Sequence, residues 1–176
     1  MTLRQQIIVF WVLFAATTAI YAVMVMWSLP KISTMAGGLA PFDMRPMGYS
    51  LDEATAFLTA LTDEGRTFYL STQHWLDTFY PPLLALTLAI GLRIMSPVQS
   101  PAIKLLLVVI PILAMLADLF ENTWVSFLLN SPGYIDAGAV EYANVGTLIK
   151  SILTTLTMSL LLLFTSAWGW RKWWRT

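Results

Sequence analysis

Cysteine is absent from the 176 residues, and histidine occurs once, at position 74. The first absence removes disulfides, thiolate nucleophiles and thiolate metal ligation. The second leaves no His-x3-His or Glu-x2-His spacing, so no metal site is expected. Charge is also scarce. Asp, Glu, Lys and Arg make up 11% of the chain, against roughly a quarter of an ordinary soluble domain. Basic and acidic residues balance to a formal net charge of zero, which implies no basic face for nucleic acid. No phosphate loop, dinucleotide fingerprint or nucleophile elbow is present, so no cofactor is expected.

What fills the chain instead is apolar: 57% of residues are hydrophobic. They fall into four runs, at about 7–29, 68–95, 103–129 and 141–168. Roughly 20 apolar residues cross the hydrocarbon core of a bilayer, so each run reads as a transmembrane helix. Arg4 ahead of the first run imitates a secretion signal, but a signal core is only about 7–15 residues. The first run is longer, reads as a retained span, and ends at Pro30. Ser100 and Pro101 supply an N-cap and first helical residue for the third. Residues 1–176 are therefore expected to form one transmembrane domain.

Between the first two runs lies a segment of another kind. Gly37-Gly38, Pro41, Pro46 and Gly48 are loop chemistry. Ser50 stands three residues before Glu53, a capping-box spacing. Leu51, Ala54, Phe57, Leu58 and Leu61 then recur at helical intervals, with Gly65 as the stop. The expectation is an amphipathic helix over 51–64, too polar to span. Basic residues set the orientation. With the N-terminus inside, Arg4, Arg93, Lys104, Arg171, Lys172 and Arg175 are cytoplasmic without an acid among them. The positive-inside rule thus puts both termini in the cytoplasm and the amphipathic helix outside. Trp168, Trp170, Trp173 and Trp174 around Arg171-Lys172 read as an interfacial anchor.

Four charges break the apolar runs: Asp77, Asp118, Glu121 and Lys150. Ionisable residues at membrane depth are costly and mark functional sites. At 1.5 Å per residue, Glu121 and Lys150 each lie about 13 Å below the outer ends of their helices, so their depths match. Asp118, Glu121 and Asn122 share one helix face, as do Thr147, Lys150 and Thr154. His74 and Asp77 are three apart, with Gln73 and Tyr80 on the same arc. Each stripe should turn inward, because lipid offers no hydrogen-bond partners. Lys150 should pair with Glu121 first, then Asp118. Three carboxylates sharing one lysine leave a surplus, relieved by a proton, a cation, a ligand or water; at least one is expected to be protonated at neutral pH. Pro81 and Pro82 cannot donate, which frees the carbonyls of Asp77 and Thr78. In the loop, Asp43 and Arg45 are close enough in sequence to pair near the outer mouth.

Resemblance adds a frame. "RPMGYS", "LDTFYPPLL", "LADLFENTW" and the early lysine of the last helix resemble a group of small bacterial four-span membrane proteins. More loosely, the chain resembles the EXPERA architecture of sterol isomerases and the sigma-2 receptor, through Asp77 ahead of Pro81 and Ile110-Pro111-Ile112-Leu113 ahead of Asp118 and Glu121. That resemblance implies that Asp77, Asp118 and Glu121 bind a cationic or carbocation-like lipid. Lys150 departs from its pattern.

The expected fold is all-α: a four-helix transmembrane bundle with one extracytoplasmic amphipathic helix, in a bacterial inner membrane. The expected function is binding of a small amphiphile or membrane lipid in an outer-half pocket, with acid–base chemistry open. Ligand contacts would come from His74, Asp77, Tyr80, Asp118, Glu121, Asn122 and Lys150. Asp77, Asp118 and His74 are the candidates for a proton-transfer step. The alternative is an accessory subunit of a larger homo- or hetero-oligomeric membrane complex, whose polar core only fixes packing. A proton or ion path is a third reading, disfavoured by the apolar inner halves.

Overall fold

In the computed structural model the apolar runs become four long helices; residues 2–173 are described, with side chains through residue 170. Helix α1 spans Leu3–Met35, α2 Leu51–Ala60, α3 Asp63–Met95, α4 Pro101–Leu129 and α5 Ala137–Trp173. All but α2 are long and apolar enough to cross a membrane, which marks the chain as a membrane protein. Of the tryptophan–basic tail, Trp174, Arg175 and the side chains of Arg171, Lys172 and Trp173 lie outside the described residues.

Helix starts follow local chemistry. Thr2 and Gln5 form one capping box, and Ser50 and Glu53 form the one expected from spacing. Each satisfies two backbone donors at a helix start. Asp136 Oδ1 accepts the Ala139 N–H at 3.0 Å and opens α5, ahead of the point at which hydropathy alone marks the run.

Two expected stop signals do not act as stops, and the elements beside them run to other bounds than the sequence reading gave. Pro30 does not end α1. The helix widens into a π segment at Met24–Ser28 and continues through Pro30 to Met35. A local π turn re-phases the carbonyls where proline removes a donor. Gly65 is not a stop either. Helix α2 ends at Ala60 because Leu61 is extended, and Thr62 caps α3 through the Gly65 N–H. Gly65 then serves as a close approach: a Cβ there would stand 2.8 Å from Met35 Cβ. Helix α3 carries its own π segment at Tyr69–Gln73, so the two π turns are Met24–Ser28 and Tyr69–Gln73.

Helix α4 packs between α3 and α5, while α1 lies along α3. The best-buried apolar cluster gathers at one end of the bundle, under α2. It includes Ile32, Phe42, Phe57, Leu58, Tyr69, Leu128 and Leu129. Phe42 anchors the 37–49 loop there, 4.9 Å from Tyr49 and 5.1 Å from Phe57 between ring centres. Arg66 holds the same end by donating to Leu129 O at 2.8 Å and Leu58 O at 3.3 Å. These are terminal carbonyls of α4 and α2, which lack helical donors of their own.

The other half of the bundle is not wholly apolar. Thr17 and Thr87 share a buried hydrogen bond of 3.0 Å between α1 and α3. Thr157 is fully buried and bonds back to Leu153 O. Interhelical contacts of the Thr17–Thr87 kind contribute about 0.6 kcal/mol on average and serve to fix register.

Candidate functional site

The polar centre forms where α4 and α5 come closest. Gly146 makes that approach, since a Cβ at this position would lie 2.9 Å from Glu121 Cβ and 3.1 Å from Glu121 Cα and N. One turn further along α5, Lys150 Nζ sits 2.9 Å from Asp118 Oδ1 and 2.9 Å from Glu121 Oε2. The lysine therefore bridges both acids equally, rather than favouring Glu121, and its hydrogen-bond geometry is formed to Asp118. Glu121 is fully buried, and its Oε1 has no partner.

Asp77 lies on α3, 6% exposed. Its Oδ1 accepts from Gln73 Nε2 at 2.8 Å, and Gln73 Oε1 in turn accepts from the Ser28 hydroxyl of α1. This chain joins the two π segments to the acid. Such segments recur at functional sites. Asn122 does not reach the Asp77 carboxylate. Its Nδ2 donates instead to the Asp77 backbone carbonyl at 3.0 Å, which is the carbonyl that Pro81 deprives of a helical donor. Asn122 thus repairs the proline break from the neighbouring helix. Asn122→Leu is expected to cost about 1–3 kcal/mol, the penalty of an unmet buried acceptor. In a Pro81→Ala background, which restores the N–H, the same change should cost much less. Equal losses of melting temperature in both backgrounds would sink that account.

His74 and Tyr80 take other partners. His74 is exposed, with Nδ1 3.2 Å from Ser126 Oγ. Tyr80 stacks on Tyr21 of α1, 5.8 Å between ring centres.

Two further residues come from the loop and are not among the site candidates that the sequence yields. Asp43 does not pair with Arg45. Its Oδ2 accepts from the Tyr69 hydroxyl at 2.5 Å, while Arg45 Nη1 lies 3.6 Å from Glu53 Oε1 and Arg45 Nε donates to Ala40 O. Asp43 thereby adds a fourth acid whose charge acts on Asp77, Asp118, Glu121 and Lys150. Tyr49 enters from the same loop, 7% exposed, beside Thr147 and facing the Glu121 charge. Burial first, then Glu121, hold its phenol well above the usual value, so it stays neutral. Its backbone N–H donates to Asn144 Oδ1 at 2.8 Å. Gly48 is needed for that approach. Its φ is +85°, and a Cβ would stand 2.5 Å from Asn144 Oδ1. The available sequence signal is Phe42 and Tyr49, two aromatic rings flanking Asp43 in a loop rich in glycine and proline.

Two crevices open along the α3–α4 seam. One is lined by Tyr69, His74, Asp77, Asn122 and Ser126 among others. The other runs from Asp118 and Thr154 past Pro81, Pro111 and Met115. Each offers about 10 Å³, enough for one water-sized group. No group of three His, Asp or Glu side chains converges as a metal site among the described residues. No family model, curated protein or solved structure matches the chain.

Proposed function

We propose that this protein binds the small polar head of a membrane amphiphile at the Asp77 crevice, the apolar chain lying along the α3–α4 seam. The bundle would sit in a bacterial inner membrane with both termini cytoplasmic and α2 outside, as the basic residues favour. The observation that carries this reading is the distribution of charge. Lys150 is shared by Asp118 and Glu121. Among the described residues, no cation lies within ion-pairing distance of Asp77 or Asp43. Asp77 is buried, borders the crevice and keeps one carboxylate oxygen beyond the one bonded to Gln73. A hydroxyl or ammonium head fits an acceptor of that kind. His74 at the crevice lining is the available shuttle for a proton step. The sequence resemblance to EXPERA proteins agrees with the ligand class, though Lys150 sets this chain apart.

The test is native mass spectrometry of gently extracted protein beside its Asp77→Asn variant. The expected result is a lipid-mass adduct in the parent, weakened about tenfold in the variant. A parent without adduct, or an adduct indifferent to the substitution, overturns the reading. A second reading is favoured by the small size of the crevices: an accessory subunit whose polar centre fixes helix packing. A stoichiometric heavier assembly in the same spectra would carry it.

A further inference from the structure

The second crevice, the one that passes Pro81 and Pro111, carries two polar groups that the Asp77 reading does not use. Asp118 and Thr154 both line it, delivered from α4 and α5. Of the two acids that share Lys150, Glu121 is sealed, whereas the Asp118 side chain is 17% exposed. Asp118 Oδ1 takes the ammonium at 2.9 Å, and Oδ2 is left without a partner among the described residues. Thr154 departs from its neighbours on α5. Thr147 and Thr157 each spend their hydroxyl proton on the carbonyl four residues back, the local escape open to a threonine in a membrane helix. The Thr154 hydroxyl makes no such bond and has no other partner among the described residues. Lipid tails offer neither group a substitute. The crevice that both line has room for one water-sized group. Its remaining walls are apolar, with Leu84 and Leu88 on α3 and Ala114 and Met115 on α4.

We propose that this crevice is a binding site for an uncharged membrane alcohol, a long hydrocarbon ended by one hydroxyl, with its chain against the α3–α4 seam. A hydroxyl carries one donor and two acceptor lone pairs. It can therefore donate to Asp118 and accept from Thr154, which answers both open groups at once. Charge selects against other single heads. An ammonium would stand beside the Lys150 ammonium, which already holds Asp118. A carboxylate would face Asp118 and Glu121, which share that one lysine. Like charges repel strongly where the dielectric is low. Size selects as well, since a phosphate or trimethylammonium head exceeds a space of about 10 Å³. The site rests on α4 and α5 side chains and stands whether or not the Asp77 crevice is filled.

The experiment follows melting of the full chain in an uncharged detergent, with dodecanol, dodecane, dodecylamine or sodium dodecanoate added at equal mole fraction in the micelle. A ligand that binds only the folded state raises the melting temperature with its concentration. The expected result is a rise with dodecanol beyond that with the other additives. Thr154→Val, which removes the hydroxyl at nearly constant volume, should demand about fivefold more dodecanol for the same rise, the loss of one neutral hydrogen bond. Thr154→Ser, which keeps the hydroxyl, should keep the response. So should Asp77→Asn, because Asp77 lines only the other crevice. Equal series for dodecanol and dodecane overturn the proposal and leave the crevice to water. An amine or carboxylate series as steep as that of dodecanol overturns it too. So does a dodecanol response that Thr154→Val leaves intact, that Thr154→Ser loses to the same degree, or that Asp77→Asn abolishes.

Discussion

Lys150→Met is expected to cause the largest loss of stability of any single change in the polar centre. Two carboxylates, Asp118 and Glu121, each lose a cation at 2.9 Å. Removing one partner of a buried pair typically costs about 3–5 kcal/mol, because the remaining charge stays desolvated. For a chain of this size that corresponds to a fall in melting temperature on the order of 10 °C. The penalty comes from stranded charge rather than lost attraction, which gives the test its second arm. Neutralising both acids in the same background, with Asp118→Asn and Glu121→Gln, should recover much of the loss, since uncharged replacement of a buried ion cluster is often close to neutral. An unchanged melting temperature for Lys150→Met would mean that the ammonium is solvated and the bridge incidental. A loss that the triple variant does not recover would mean that the lysine stem supports packing instead.

The parts of this centre that could be read from the sequence are those that depend on helical arithmetic alone. Asp118, Glu121 and Asn122 share a face because three and four residues make nearly one turn. Lys150 meets them because equal counts from two helix ends give equal depth. Asp77 faces inward with Gln73, four residues away, and is bonded to it. His74 follows Gln73 by about 100° around the helix, which carries it to the edge of the stripe and to Ser126. What could not be read depends on irregular backbone. The π segment at Met24–Ser28 carries α1 through Pro30, and nothing in hydropathy marks it. Asp43 and Tyr49 reach the centre because Phe42 is buried and Gly48 takes a positive φ against Asn144. A loop built on glycine and proline gives no periodic signal for such a path, so an acid expected at an exposed mouth becomes part of the cluster instead.

Gly146 should prove the least tolerant small residue in α5. A methyl group there would meet Glu121 Cβ at 2.9 Å and Glu121 Cα and N at 3.1 Å. Two of those three atoms are backbone, so relief requires α4 and α5 to separate. Overpacking of this kind costs about 1–3 kcal/mol, while replacing a mid-helix glycine by alanine returns up to about 1 kcal/mol. Packing wins, and Gly146→Ala is expected to destabilise by about 1 kcal/mol. Gly146→Leu, which cannot be absorbed by a few tenths of an ångström, should abolish cooperative melting. Gly169 provides the internal control. It lies on the same helix, and a methyl group added there would meet nothing within 4 Å, so Gly169→Ala should raise stability through helix propensity alone. The separation forced at Gly146 falls one turn from Lys150, and it should therefore lengthen the bridge as well as loosen the helices. Losses from Gly146→Ala and Lys150→Met should then combine to less than their sum. Strict additivity, or a Gly146→Ala variant as stabilised as the control, would mean that the two helices do not approach as closely as the Glu121 backbone contact requires.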